Sequence, residues 1–251
     1  MAIVGSRAAS VYGLGFAREL GEALARAGVV VVSGLARGVD AAAHEGALSA
    51  GGVTVAVQAC GPEIVYPAQH RGLARRIRAR GLVLTEMPPG TPPRAPYFPL
   101  RNRLISGLSR VVVVVEARRR SGSLITARHA LDQGVDVMAV PGAVGVATSE
   151  GPNRLLAEGA RPCLGAADVL EELGIEAPEP PTSPSARAVP LSGEGRRILA
   201  SLAACPESRD ALALRLGLSA QDLAVHLLAL ELEGHVATDR DGRLRVVSGR
   251  G

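Results

Sequence analysis

Short apolar runs alternate with longer segments of helical period over the first two thirds of the chain. Ala2–Val4, Val29–Val32, Val53–Val57, Leu82–Thr85, Val111–Val115 and Val135–Val140 are rich in β-branched residues and predict strands. Between and after them, apolar positions recur every three to four residues over 11–27, 39–50, 69–80, 100–108, 124–133, 153–158 and 166–173, which predicts helices. A short edge strand is expected before the last of these. Strands that are apolar throughout, rather than alternating, are buried on both faces, as in a parallel sheet covered by helices. With right-handed crossovers the pattern predicts an α/β fold: a doubly wound, mostly parallel, Rossmann-like sheet. It leaves the strand order open.

The pattern changes at residue 175. Residues 175–190 carry five prolines among Glu, Ser and Ala, the composition of an extended linker. Beyond it, helical periods over 193–204, 209–216 and 220–233 precede two short strands, 236–238 and 244–247, joined by the turn Asp239-Arg240-Asp241-Gly242. Three helices and a hairpin make a winged-helix outline. The expected organisation is a Rossmann-like domain over 1–174, a linker over 175–190 and a winged-helix domain over 191–251. The chain starts directly on its first core strand, which raises the expectation that an N-terminal segment is missing.

Charge separates the two domains. Residues 1–170 hold 19 arginines against 12 acids, a net of +7, whereas residues 190–251 hold eight of each. There is no lysine in the chain. A basic domain attracts nucleic acid or phosphorylated ligands. The third helix of the winged-helix outline carries Asp222, Glu231 and Glu233 and no arginine, with Leu227, Leu228, Leu230 and Leu232 read as core. An acidic helix does not suit a groove lined by phosphates, so this domain is read as a protein-contact module. Three widely spaced cysteines, Cys60, Cys163 and Cys205, predict neither a disulfide framework nor a metal site. No leader is visible and no apolar run is long enough for a membrane span, so the cytoplasm is the expected location.

Four small-residue turns fall at the carboxyl ends of predicted strands, where ligands of doubly wound sheets sit. They are Gly5-Ser6-Arg7, Ser33–Gly38 with Arg37, Ser121-Gly122-Ser123, and the loop from Pro141. Glycines let a backbone approach a ligand, and helix N-termini with arginines bind phosphate. The first turn is not G-x-G-x-x-G, and a P-loop needs a lysine that the chain lacks, so no nucleotide cofactor is expected. Asp40 and His44 are read as a helix cap and a structural histidine, His70 and His129 as surface positions. Glu86 and Glu116 are expected to orient arginines. Phe98 beside Arg101-Asn102-Arg103 combines a stacking face with guanidiniums, the pairing that single-stranded nucleic acid requires.

The segments IVGSR (3–7), SGLARGVDAAAH (33–44), FPLRNRLISGLS (98–109), VVEARRRSGSLITA (114–127) and AVPG (139–142) occur in this order. Together they resemble the bacterial DNA-processing protein A family, DprA or Smf. The resemblance implies a dimeric single-stranded DNA-binding protein that protects incoming DNA in natural transformation and loads the RecA recombinase. Carried over by motif, it implies that Gly5, Ser6, Arg7, Arg37, Gly38, Ser121, Gly122, Ser123 and Thr126 line a phosphate pocket. Phe98 would stack on a base while Arg101, Asn102 and Arg103 shape the groove. Members often carry a helical domain before the first strand, which this chain does not show. An alternative, a phosphoribohydrolase acting on nucleoside monophosphates, would use Glu86 and Glu116, but its P-G-G-x-G-T-x-x-E motif is replaced by Pro141-Gly142-Ala143-Val144-Gly145-Val146. A transcription regulator acting through the winged helix is disfavoured by the acidic third helix.

Overall fold

The computed structural model describes residues 1–176, 193–204, 207–232, 235–238 and 243–246. The chain divides into two compact units, Met1–Pro178 and Glu179–Gly251. Most of the expected linker, the tip of the expected hairpin, Cys205 and Glu233 lie outside the described residues.

In the first unit the order is β1 (Ala2–Val4), α1 (Val11–Arg26), β2 (Val31–Ser33), α2 (Val39–Ser49), β3 (Thr54–Val57), α3 (Arg71–Arg80) and β4 (Leu82–Leu84). It continues with α4 (Tyr97–Gly107), β5 (Val111–Val114), α5 (Gly122–Asp132), β6 (Asp136–Ala139), α6 (Glu150–Ala157), β7 (Arg161–Pro162) and α7 (Ala166–Leu173). Seven parallel strands form one sheet in the order β4-β3-β2-β1-β5-β6-β7. The predicted Rossmann-like sheet is present, and its order supplies what periodicity left open.

The valine run shows why the strands are apolar throughout. Val111, Val113 and Val115 pack with Ile3, Leu20, Leu24, Ala43 and Leu170 on the face covered by α1, α2 and α7. Val112 and Val114 pack with Ala2, Val4, Ile105 and Ala127 on the face covered by α4 and α5. Successive side chains of a strand point to opposite faces, so both must be apolar when both faces are covered. A smaller core of Leu35, Ala56, Leu73, Ala74 and Ile77 seats α3.

Three helices begin earlier than their sequence patterns suggest. Helix α4 starts at Tyr97 rather than Leu100, α5 at Gly122 rather than Leu124, and α6 at Glu150 rather than Asn153. Pro99 and Pro152 stand in first turns, where the missing N–H has no intrahelical partner to lose. The practical result is that Phe98 belongs to a helix and not to a loop.

In the second unit α8 (Gly193–Ala204), α9 (Arg209–Leu216) and α10 (Ala220–Leu232) precede β8 (Val236–Thr238) and antiparallel β9 (Leu244–Val246). Ser208 caps α9 by accepting from the Ala211 N–H, and Gly217 closes it in the left-handed conformation. Helices α9 and α10 bend by 112° across Gly217-Leu218-Ser219, the geometry of a helix-turn-helix. Ile198, Leu202, Leu212, Leu223, Leu227 and Leu230 form its core. Leu228, expected there too, is 58% exposed, because the core face of α10 repeats at 223, 227 and 230 and passes it by. Among the described residues no single helix is long and apolar enough to cross a membrane.

Candidate nucleic-acid interface

Strand order places the site. The sheet reverses its winding between β1, which leads into α1 on one face, and β5, which arrives from α4 on the other. The register Ala2↔Val112, Ile3↔Val113, Val4↔Val114 brings both strands to an end at one level. Loops leaving such a pair diverge to opposite faces and open a crevice between them, the usual ligand position of doubly wound sheets. A cleft of about 680 Å³ lies there.

Ten of the expected residues line this cleft: Gly5, Ser6, Arg7, Phe98, Arg101, Asn102, Ser121, Gly122, Ser123 and Thr126. Arg37 lines an adjoining hollow of about 250 Å³ that shares Arg7, Ala36, Tyr66, Phe98 and Arg101 with the first. Gly38 and Arg103 line neither. The loop from Pro141, the fourth expected turn, borders a different hollow with Ser10, Tyr12 and Glu116. Tyr66, Asp40, Arg118 and Arg120 also face the cleft without having been expected. Arg118 and Arg120 stand in the segment 114–127, and their charge was the available signal.

The walls are tied together through backbone. A Cβ on Gly38, whose φ is +77°, would lie 2.2 Å from the Ser6 carbonyl oxygen, so only glycine lets the β2–α2 loop close on the β1–α1 loop. The Val39 N–H donates to that same carbonyl at 3.2 Å. Gly5 is packed as tightly, since a Cβ would meet Val39 Cγ2 at 2.6 Å. Gly38 thus fastens the β1–α1 and β2–α2 loops to each other without lining the cleft itself.

Arg101 is 5% exposed and forms the floor. Its Nη1 donates to the carbonyls of Gly34 (2.8 Å) and Val57, and its Nε to Asn102 Oδ1 at 3.3 Å. Burial pulls its pKa down to about 10, which leaves it charged at neutral pH. Asp40 is its counter-charge. Burial raises the Asp40 pKa, while Arg101 and the N–H groups of Ala36 and Gly34 oppose the rise. Those two N–H groups donate to Asp40 Oδ2 at 3.3 and 3.1 Å. Asp40 therefore braces the preceding loop; the N-cap of α2 is Gly38. Leu35, buried with φ 57°, turns that loop through the left-handed region, a strained conformation for a non-glycine residue. Its carbonyl accepts from His70 Nδ1 at 2.9 Å, so His70 is a half-buried brace rather than a surface position. His129 is half-buried as well.

His44 has the structural role expected of it. It is fully buried, and burial lowers its pKa to about 3. The Thr54 hydroxyl donates to the Val31 carbonyl, so His44 Nδ1 is the donor in its own 2.7 Å bond to Thr54 Oγ1.

The opposite wall comes from α4 and α5. Asn102 Nδ2 donates to the Gly122 carbonyl at 3.1 Å, holding the start of α5 against α4. Ser121 is the N-cap of α5, and its hydroxyl is 2.7 Å from that of Ser123. The first N–H groups of a helix lack intrahelical acceptors and carry the positive end of its dipole, so the start of α5 presents N–H donors and partial positive charge to the cleft. Arg103, expected to shape the groove, instead forms a two-point pair with Glu86 at 2.6 and 2.7 Å. Glu86 thus orients an arginine as expected, but Glu116 does not. Its carboxylate accepts from the N–H and hydroxyl of Ser10, at 2.9 and 2.6 Å, at the N-terminus of α1.

One cluster stands at the junction of the two hollows. The Arg7 guanidinium lies 5.2 Å from the Phe98 ring centroid, and the Tyr66 ring centroid is 5.6 Å from that of Phe98. Two aromatic faces and a cation–π contact here join a basic cleft with Arg101, Arg118 and Arg120 to the hollow holding Arg37.

A model of the DNA recombination-mediator protein A family matches residues 1–174. The chain belongs to this family. A model of the DprA winged helix domain matches residues 176–242. Protein Smf of Escherichia coli K12 is 41% identical over 254 residues, covering 98% of this chain and 67% of that protein. The DprA structure from Streptococcus pneumoniae is 43% identical with a TM-score of 0.64, over 68% of this chain and 60% of that one. A structure of DNA processing protein A from Helicobacter pylori, described for its single-stranded DNA binding mode, is 32% identical with a TM-score of 0.63. It covers 68% of this chain and 78% of that one. The chain spans about two thirds of the length of the curated family members from Escherichia coli and Mycobacterium tuberculosis.

Proposed function

We propose that this chain binds single-stranded DNA in the cleft between β1 and β5 and serves DNA processing in natural transformation and recombination. The observation that carries the reading is the Tyr66–Phe98–Arg7 cluster between two arginine-lined hollows. Bases stack on aromatic faces whatever their identity, and guanidiniums take the phosphates between them. Arg7, Arg37, Arg118, Arg120 and the N-terminus of α5 are the proposed phosphate ligands; Arg101, Asn102 and Gly38 are proposed to hold the walls in place.

The protein acts as a binder and not as an enzyme in this reading. Glu86 and Glu116, the carboxylates a phosphoribohydrolase would need, are engaged with Arg103 and Ser10 outside the cleft. Pairing of two copies, transfer of the strand to RecA and residence in the cytoplasm rest on family membership. The winged-helix unit is assigned to protein contact, since α10 exposes Val225 and Leu228 and contains no arginine.

The test is a fluorescence-anisotropy titration of oligo-dT and of duplex DNA at two salt concentrations. Single strands are expected to bind more tightly, with log K falling against log salt by about 0.7 per phosphate neutralised. Arg7→Ala is expected to weaken binding at least about tenfold, since it removes a phosphate ligand and the cation on Phe98. Equal, salt-insensitive binding of both DNA forms would refute the assignment.

A further inference from the structure

Helix α3 carries five arginines in ten residues and no acid. Three have partners: Arg76 pairs with Glu45, Arg78 donates to the Pro62 carbonyl at 3.0 Å, and Arg80 donates to the Gly51 carbonyl at 3.0 Å. Arg71 and Arg75 are exposed and have neither a counter-charge nor an acceptor among the described residues. Their placement works against the helix. Like charges four residues apart repel, and cations in a first turn oppose the helix dipole. Burial does not account for them either, because the buried face of α3 is Leu73, Ala74 and Ile77. Bound phosphate would turn both unfavourable terms into favourable ones.

The position of α3 relative to the cleft makes this more than a charged surface. Gln69 lines the hollow that holds Arg7 and Arg37. His70, the next residue, is bonded to the Leu35 carbonyl of the loop that carries Arg37. Arg71 follows immediately, and Arg75 stands one turn further on, a rise of ~6 Å. The chain therefore passes directly from the wall of the hollow, at Gln69, into the first turn of α3.

We infer that a bound single strand continues from the cleft past Arg37 and along α3, with Arg71 and Arg75 as a second set of phosphate ligands. The inference rests on the single-stranded DNA reading of the cleft and extends it: the cleft selects the strand by stacking, and α3 lengthens the binding site by charge alone.

The experiment compares the full chain with Arg71→Ala/Arg75→Ala and with Arg26→Ala/Arg110→Ala. The last pair removes the same formal charge at the amino ends of two interior strands, since Arg26, paired with Glu22, ends α1 ahead of β2 and Arg110 precedes β5. Each protein is titrated with oligo-dT of about 5 nucleotides and of about 20, the low end of single-strand site sizes and a length beyond them. For the long oligonucleotide the α3 variant is expected to lose at least about fivefold in affinity and about 1.4 in the slope of log K against log salt, two phosphates' worth. The short oligonucleotide should change less than about twofold, and the control variant should behave like the unaltered protein with both. A melting temperature no lower than that of the unaltered protein shows that the variant is folded, and Arg71→Glu/Arg75→Glu should deepen the loss. The inference is overturned if both lengths respond alike, if the slope does not change, or if the α3 variant matches the control. Failure of the unaltered protein to bind either oligonucleotide would instead remove the reading of the cleft itself. Binding that is weakened by Arg7→Ala but not by the α3 changes would remove the α3 track alone.

Discussion

Arg101 and Phe98 stand three residues apart on α4, and the proposed function gives them different work: bracing for Arg101, base stacking for Phe98. Arg101 is a buried cation whose bonds all go to the protein: two carbonyls, Asn102 and the field of Asp40. Removing one member of a buried charged set strands the other, at a cost of about 3–5 kcal/mol. Arg101→Met is therefore expected to lower the melting temperature sharply, because Asp40 and the Gly34 and Val57 carbonyls lose their partner. Phe98 is half-buried, and its ring meets only Tyr66 and Arg7 among aromatic and cationic groups described. Phe98→Ala should cost about 1–3 kcal/mol of single-strand affinity, the worth of one stacked base, with a much smaller effect on stability. Differential scanning fluorimetry and the anisotropy titration separate the two. If Arg101→Met melts like the unaltered protein, the bracing role is wrong.

At the level of elements, the site is a set of loops clamped to one another by close backbone approach. Gly38 is the clearest case. Its φ of +77° disfavours any side chain, and a Cβ would overlap the Ser6 carbonyl. Gly38→Ala should destabilise the first unit by more than ~1 kcal/mol in urea denaturation. It should also weaken single-strand binding, because the loops bearing Arg7 and Arg37 must move apart. Unchanged affinity in a destabilised Gly38→Ala protein would show that the clamp does not position those arginines. Helices α4 and α5 play the matching part across the cleft through Asn102 and Gly122.

Over the whole molecule, the arginines that line the cleft and its adjoining hollow differ in their pairing from three arginines of the second unit. Arg197, Arg209 and Arg215 of the second unit each pair with a glutamate: Glu194, Glu231 and Glu207. Arg7, Arg37, Arg118 and Arg120 of the first unit have no acidic partner among the described residues. Arginines already neutralised release few counterions on meeting DNA. Arg209→Ala/Arg215→Ala should therefore leave single-strand affinity within about twofold of the unaltered protein, against the tenfold loss for Arg7→Ala. A comparable loss in both would assign DNA contact to the winged-helix unit as well.

Periodicity, β-branched runs and turn residues were enough to determine the parallel α/β class, the winged-helix outline and most residues that meet at the cleft, because these follow from local chain geometry and from burial on two faces. The motifs resembling the DNA-processing protein A family pointed to the same residues. Tertiary structure alone decided which loops become neighbours. Strand order, invisible to periodicity, set the β1–β5 switch point and carried the Pro141 loop away from the cleft. Side-chain direction within a helix turned Arg101 and Asn102 inward and Arg103 outward to Glu86, although the three are consecutive. Tyr66 and Arg37 reach Phe98 and Arg7 only because separate loops converge, and that convergence also brings Gln69, just ahead of α3, to the adjoining hollow.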